Sequence, residues 1–298
     1  MLVSGDNNSK HQAPAASAPR RRSPWPLIIV ALLFIVVPFL AWYLTWFGRG
    51  LSDEEIGKYL SDQQNPRHVQ HALAQIEEKI ERGDRSVKRW YPQIVALADS
   101  PVMEVRQTAA WVMGQDNTSE DFHGALFKLL ADQHPLVRRN AALQLVRFKD
   151  ARGRAELRAM LEPYDVTTTG EGTVASVLAE GSAITVGTMI ARIDQGAGRV
   201  LEVRSPLPGK ITSIIAREGA KVSSGDTLLQ LSPDIKSVSD ALLALGLVGE
   251  REDLASVQRY AQGTAGLPDE IKQQAALTVK AIESRSAQTE STQTQSSK

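Results

Sequence analysis

The chain has 298 residues, 42% of them hydrophobic, with 34 basic residues balanced by 34 acidic ones and no cysteine. Charge neutrality argues against a wholesale nucleic-acid binder, whose footprint is strongly basic. The absence of cysteine excludes disulfides, thiolate zinc sites, cysteine-ligated clusters and thiol nucleophiles, and five histidines leave little room for histidine chemistry.

Residues 1–24 are rich in Asn, Ser, Ala and Pro and read as a disordered tail ending in Arg20-Arg21-Arg22. Leu27 to Phe47 is an uncharged run of 21 residues, roughly 31 Å as a helix and about one bilayer core. Trp42, Tyr43 and Trp46 crowd its far end like an interfacial belt, and Pro38 lies inside it. A cleaved signal peptide would be shorter and would end in small residues, which are absent here. The expectation is a single transmembrane helix over 25–48. Three arginines before the span against Arg49 after it then place the N-terminus in the cytoplasm. The implied location is a bacterial inner membrane, single-pass, with the bulk of the chain extracytoplasmic.

From residue 51 the pattern turns helical. Ser52-Asp53-Glu54-Glu55 is a capping box. Val105-Arg106-x-x-Ala109-Ala110 recurs as Val137-Arg138-x-x-Ala141-Ala142, each after a proline, at Pro101 and Pro135. A degenerate copy contains Pro66, Ala72 and Ile76, and another contains Ala275 and Ala276. This spacing resembles HEAT repeats in their short bacterial form, over 49–163 and again over 234–283. The resemblance implies antiparallel helix pairs in which small alanines allow close packing. Arg106 and Arg138 are then structural. His68 and His71 share a helix face, but without a third ligand they suggest no metal site. Residues 138–158 hold seven basic side chains, Arg138, Arg139, Arg147, Lys149, Arg152, Arg154 and Arg158, against Asp150 and Glu156. This stretch is a candidate partner-binding face for an acidic protein or headgroup, or else a solvated repeat edge.

At residue 164 glycine-punctuated β-branched runs take over, at Thr173–Val177, Ile184–Val186, Met189–Ile193, Ile211–Ile215, Lys221-Val222 and Leu228–Leu231. The two halves repeat at an offset of 38 residues, pairing Gly181 with Gly219, Ile184 with Val222, Gly187 with Gly225 and Ile193 with Leu231. Ser205-Pro206-Leu207-Pro208-Gly209-Lys210 and Glu218-Gly219-Ala220-Lys221-Val222 resemble a biotinyl/lipoyl-type (barrel-sandwich) domain. Carrier members of that family place a lysine at the hairpin joining the halves. Here the tip reads Gly196-Ala197-Gly198, followed by Arg199, whose guanidinium is no nucleophile. No covalent cofactor is therefore expected. Removing 166–233 restores one repeat length between Ala141 and Ala241, so the β module reads as an insertion within a helical repeat.

The expected fold class is multidomain α and β: a transmembrane helix, an α-solenoid of HEAT-like pairs, an inserted small barrel-sandwich β domain, and a disordered tail over 284–298. No nucleophile–base set, phosphate loop or metal cluster is evident, so no catalytic residue, cofactor or metal is expected. The function expected is that of a membrane-anchored, extracytoplasmic scaffold binding a protein partner, such as a membrane complex, and not nucleic acid. The alternative is a divergent periplasmic adaptor of a transport or secretion system, since such membrane fusion proteins also join an anchor to a lipoyl-like domain.

Overall fold

A computed structural model describes residues 25–42, 50–263 and 266–296. The chain divides into two units, residues 1–50 and 51–298. In the first, α1 (Trp25–Trp42) is uncharged, contains Pro38 and exposes its described apolar side chains. It corrects the expected span. The helix has 18 residues, roughly 27 Å, against a hydrocarbon core of about 30 Å. Among the described residues no helix is long and apolar enough to cross a membrane. The single-pass, inner-membrane and extracytoplasmic assignments fall with it. The proposed tail 1–24 and residues 43–49, which include the far end of the expected span, lie outside the described residues.

The second unit begins with helices packed in consecutive pairs: α2 (Asp53–Ser61) with α3 (Pro66–Glu81), α4 (Tyr91–Ala96) with α5 (Met103–Met113), and α6 (Glu120–Leu129) with α7 (Pro135–Arg147). Their starts are encoded locally. The Ser52 hydroxyl accepts from the Glu55 amide and the Glu55 carboxylate accepts from the Ser52 amide. Ser119 caps α6, and Pro66 and Pro135 open α3 and α7, where a missing N–H costs nothing. Next comes the short α8 (Arg154–Ala159), and after the strands α9 (Ile235–Val248), α10 (Leu254–Ala261) and α11 (Asp269–Ser296). The second helices form a continuous row, α3 on α5, α5 on α7, α7 on α9 and α9 on α11, and α9 also packs on α8. Ala72, Ala109, Ala141, Ala241 and Ala275 are fully buried, one per helix of this row. A larger side chain there would cost about 1–3 kcal/mol of overpacking.

Between α8 and α9 the chain forms eight strands, β1 (Tyr164–Thr167), β2 (Gly172–Val177), β3 (Ala183–Ile184), β4 (Met189–Asp194), β5 (Val200–Arg204), β6 (Gly209–Ile214), β7 (Lys221–Val222) and β8 (Thr227–Pro233). They make two antiparallel sheets, ordered β1-β8-β6-β3 and β5-β4-β2-β7. Advancing every strand of the first half by four turns one order into the other, so the 38-residue sequence repeat is a pseudo-two-fold in space. The symmetry extends to irregularities: β2 slips register against β4 between Val174 and Ser176, and β6 against β8 between Ile211 and Ser213. The paired turns at Gly187 and Gly225 both hold positive φ, +80° and +93°, where glycine carries no steric cost.

The expected small barrel-sandwich domain does not close into a barrel. Each sheet is open, with β1 or β5 at one edge and the two-residue β3 or β7 at the other. Val166, Leu229 and Leu231 of one sheet and Val174, Ile193 and Val203 of the other share one core. Two strands, β1 and β5, fall where the sequence suggested connections. Both are edge strands with a single partner. Helix α11 runs on to Ser296, into the stretch 284–298 that the sequence suggested as a tail. Its final segment contains Gln, Ser, Ala, Thr and Glu but no Gly or Pro to stop a helix.

Candidate interaction surface

The five helices of the row present one position in common. Counting two residues beyond each buried alanine gives Ala74, Trp111, Leu143, Leu243 and Leu277. Two residues rotate the side chain about 200° around the helix, from the packed face to the opposite one. Trp111 is 45% exposed, Leu243 50% and Leu277 60%; Ala74 is also exposed and Leu143 is half-buried. Leu247, one turn beyond Leu243, is 70% exposed. Apolar groups at the same site on five adjacent helices form a stripe rather than scattered surface residues.

Polar bonds hold the row in register. The Trp111 indole donates to Glu77 of α3 at 2.6 Å. Asn140 donates to the Gln107 carbonyl at 2.9 Å, and the Thr278 hydroxyl to the Leu242 carbonyl at 2.9 Å. At the start of α5, the buried Arg106 guanidinium forks onto Asp132 at 2.6 and 2.9 Å and reaches the Ser100 carbonyl at 2.9 Å. Burial opposes ionisation of Asp132, but the Arg106 bonds and the His134 amide outweigh it and hold the carboxyl below its usual value.

The seven basic residues of 138–158 do not form one face. Arg138 bonds Glu156 at 3.1 Å and the Asp132 carbonyl at 2.9 Å. Arg139 is buried between α7, the Ala159 carbonyl (3.3 Å), Glu156 (3.6 Å) and the ring of Tyr164 at the start of β1. Its Nε lacks a hydrogen-bond partner. Arg152 pairs with Asp150, and Arg154 pairs with Glu250. Arg154 and Arg158 also face the fully buried Asp253 at 3.6 and 3.3 Å. Arg147 and Lys149 are exposed, and no ion pair among the described residues involves either.

A second recurring feature joins each first helix to the loop after its partner. The Tyr91 hydroxyl donates to Asp116 at 2.8 Å, and His123 Nε2 meets Asp150 at 2.7 Å. The Arg154–Asp253 and Arg158–Asp253 pairs occupy the same place beside α9. Burial and the Asp116 bond push the Tyr91 phenol above its usual range. Open grooves lie along these loops. One of about 600 Å³ is lined by His123, Phe148, Lys149, Arg152 and Arg154, and one of about 550 Å³ by Lys88, Tyr91 and Asp116. His68 stacks on Tyr59 and bonds Asp62 at 2.8 Å, while burial lowers the His71 pKa. No group of three metal-ligating side chains occurs among the described residues. The Gly196-Ala197-Gly198 tip has positive φ at all three residues, with Arg199 closing the turn onto Gln195.

The apolar stripe was missed in the sequence, although the alanine markers place it: the residue two positions on is apolar in every copy. Among known proteins, a sequence model of HEAT repeats matches residues 91–170. No curated protein matches the chain. One similar solved chain is described as "Structure and function of a single-chain, multi-domain long-chain acyl-coa carboxylase". It is 20% identical over 43% of this chain, with a TM-score of 0.23, and the match spans 14% of that protein's length. A likeness so slight carries no argument. The chain contains HEAT repeats, helical modules whose stacking builds extended surfaces for protein interaction.

Proposed function

We propose that the protein is a non-catalytic scaffold that binds another protein across the outward face of the helical row. The observation that carries this reading is the stripe Ala74, Trp111, Leu143, Leu243 and Leu277 at one position of five stacked helices, exposed on four of them and half-buried at Leu143. Exposed contiguous apolar surface of this kind marks interaction sites. The β module is an insertion within the repeat formed by α8 and α9. Supporting this, α9 packs on α8 and α7, and Tyr260 and Arg259 of α10 hold the Leu161 carbonyl where the chain departs (2.7 and 3.2 Å). Asp234 caps α9 where the chain returns. The β module carries no cofactor, because its hairpin tip lacks an acceptor amine.

Site-specific photo-crosslinking in cells tests the scaffold reading. A crosslinking residue at Leu243 or Leu277 is expected to capture the same partner, and one at Lys128 on α6 is not. Equal capture from Lys128 would contradict the assignment of the face.

A further inference from the structure

We infer that the partner docks as an amphipathic α-helix laid across the row, with apolar residues at seven-residue intervals and acidic residues along one flank. This rests on the scaffold reading and names the partner's chemistry. Packed helices lie about 8–10 Å apart, so the stripe offers one apolar contact per roughly 8–10 Å over a length of about 32–40 Å. A docking α-helix advances about 10.5 Å every seven residues and returns the same face to the surface. A β-strand returns its face every roughly 6.8 Å and falls out of step after one contact. Polyproline II, at about 9.3 Å per turn, matches the interval, but its recognition depends on grooves lined with aromatic rings. Here four of the six apolar contacts are leucines and only Trp111 is aromatic. Leu243 and Leu247, one turn apart on α9, widen the stripe into a surface suited to an apolar helix face.

The charges beside the stripe give the direction. On the flank one turn beyond it stand Arg147 of α7 and Lys280 of α11, both exposed and in no ion pair among the described residues. The acidic groups nearest the stripe are already engaged: Glu77 with the Trp111 indole, Glu78 with Arg82, and Asp240 with Lys236 at 2.6 Å. The opposite flank is neutral and amide-rich, with Gln107, Asn140, Gln273 and Gln274. An acidic edge on the partner helix therefore meets unpaired cations on one side and amides on the other.

The test uses the full-length chain and synthetic 28-residue peptides, with binding read by fluorescence anisotropy. One peptide carries Leu at every seventh position with Glu on one flank. A second replaces Glu with Lys, a third alternates Leu at every second residue, and a fourth is proline-rich with Leu at every third. The first is expected to bind tightest. Leu243→Asp and Leu277→Asp should each weaken it at least about tenfold, and Arg147→Glu should reverse the preference toward the Lys-flanked peptide. Equal or tighter binding of the alternating or proline-rich peptide overturns the inference, as does binding indifferent to Leu243→Asp. Sedimentation showing a dimer that Leu243→Asp dissociates would assign the face to a second copy instead and also overturn it. If crosslinking from Leu277 still captures a partner while the first peptide fails, the helical assignment falls and the scaffold reading stands.

Discussion

Replacing Asp132 with alanine should strand a buried charge. Arg106 is 6% exposed, and its fork onto Asp132 joins α5 to the loop before α7. Breaking a buried pair by removing one partner costs about 3–5 kcal/mol, because the remaining ion stays uncompensated. Arg106→Ala should cost less, about 1.5–3 kcal/mol, since Asp132 keeps the His134 amide at 2.8 Å. The double variant Arg106→Met/Asp132→Ala should then be more stable than the summed singles by about 1–3 kcal/mol. The pH dependence follows from the lowered carboxyl of Asp132. A depressed carboxylate stabilises fully above its unfolded value, here 3.8, and that contribution is lost as pH falls through the folded value. The gap between wild type and Asp132→Ala should therefore be flat between about pH 5 and 8 and close below about pH 4. Urea unfolding followed by far-ultraviolet circular dichroism measures each quantity. A cost under about 1 kcal/mol for Asp132→Ala, or strictly additive singles, would refute the reasoning.

Other consequences are as direct. Arg139→Gln restores the uncharged residue found at the matching place in the other four helices (Gln70, Gln107, Ser239, Gln273). It should leave the helical circular dichroism unchanged while raising amide exchange at 162–166 and 233–236, and unchanged exchange there would count against Arg139 as the tie to β1. Gly187→Ala and Gly225→Ala, pseudo-symmetric turns with open space around them, should each cost about 1–2 kcal/mol. Gly172→Ala should cost more in the same unfolding assay, because its Cβ would lie 2.4 Å from the Asp194 carbonyl oxygen. Asp150 is held well below the usual carboxylate range by its bonds from Arg152, against burial, with His123 adding to the effect. Asp150→Ala should cost about 2 kcal/mol at neutral pH, and that cost should shrink as pH falls below the ordinary aspartate range; a pH-independent cost in thermal melts would contradict this.

Much of the helical part was legible, because the signal there is local. The alanines at 72, 109, 141, 241 and 275 mark buried positions, and the serine, proline and glutamate at helix starts satisfy backbone groups within three or four residues. The β repeat was legible for the same reason, through glycines that need positive φ at 187 and 225. What stayed hidden depended on distant residues. The basic stretch 138–158 looked unbalanced because Glu250, Glu252 and Asp253, which pair with Arg154 and Arg158, arrive from nearly a hundred residues away across the strands. Strands β1 and β5 escaped notice because each is an edge with one partner, and edge strands need less apolar patterning. Apolar length alone made α1 look like a membrane span. The stripe went unseen for another reason: a leucine beside a buried alanine looks like core until the helix neighbours are known.

The central claim is that the outward face of the row is a binding surface and not part of the fold's support. The Leu243→Asp/Leu277→Asp double variant tests it most directly, with thermal stability and recovery of the Leu277-proximal partner measured on the same preparation. Exposed positions of this kind usually change stability by no more than about 0.5 kcal/mol each. The account predicts a melting temperature within a few degrees of wild type and loss of the partner. Retention of the partner by a variant that is still folded would contradict it.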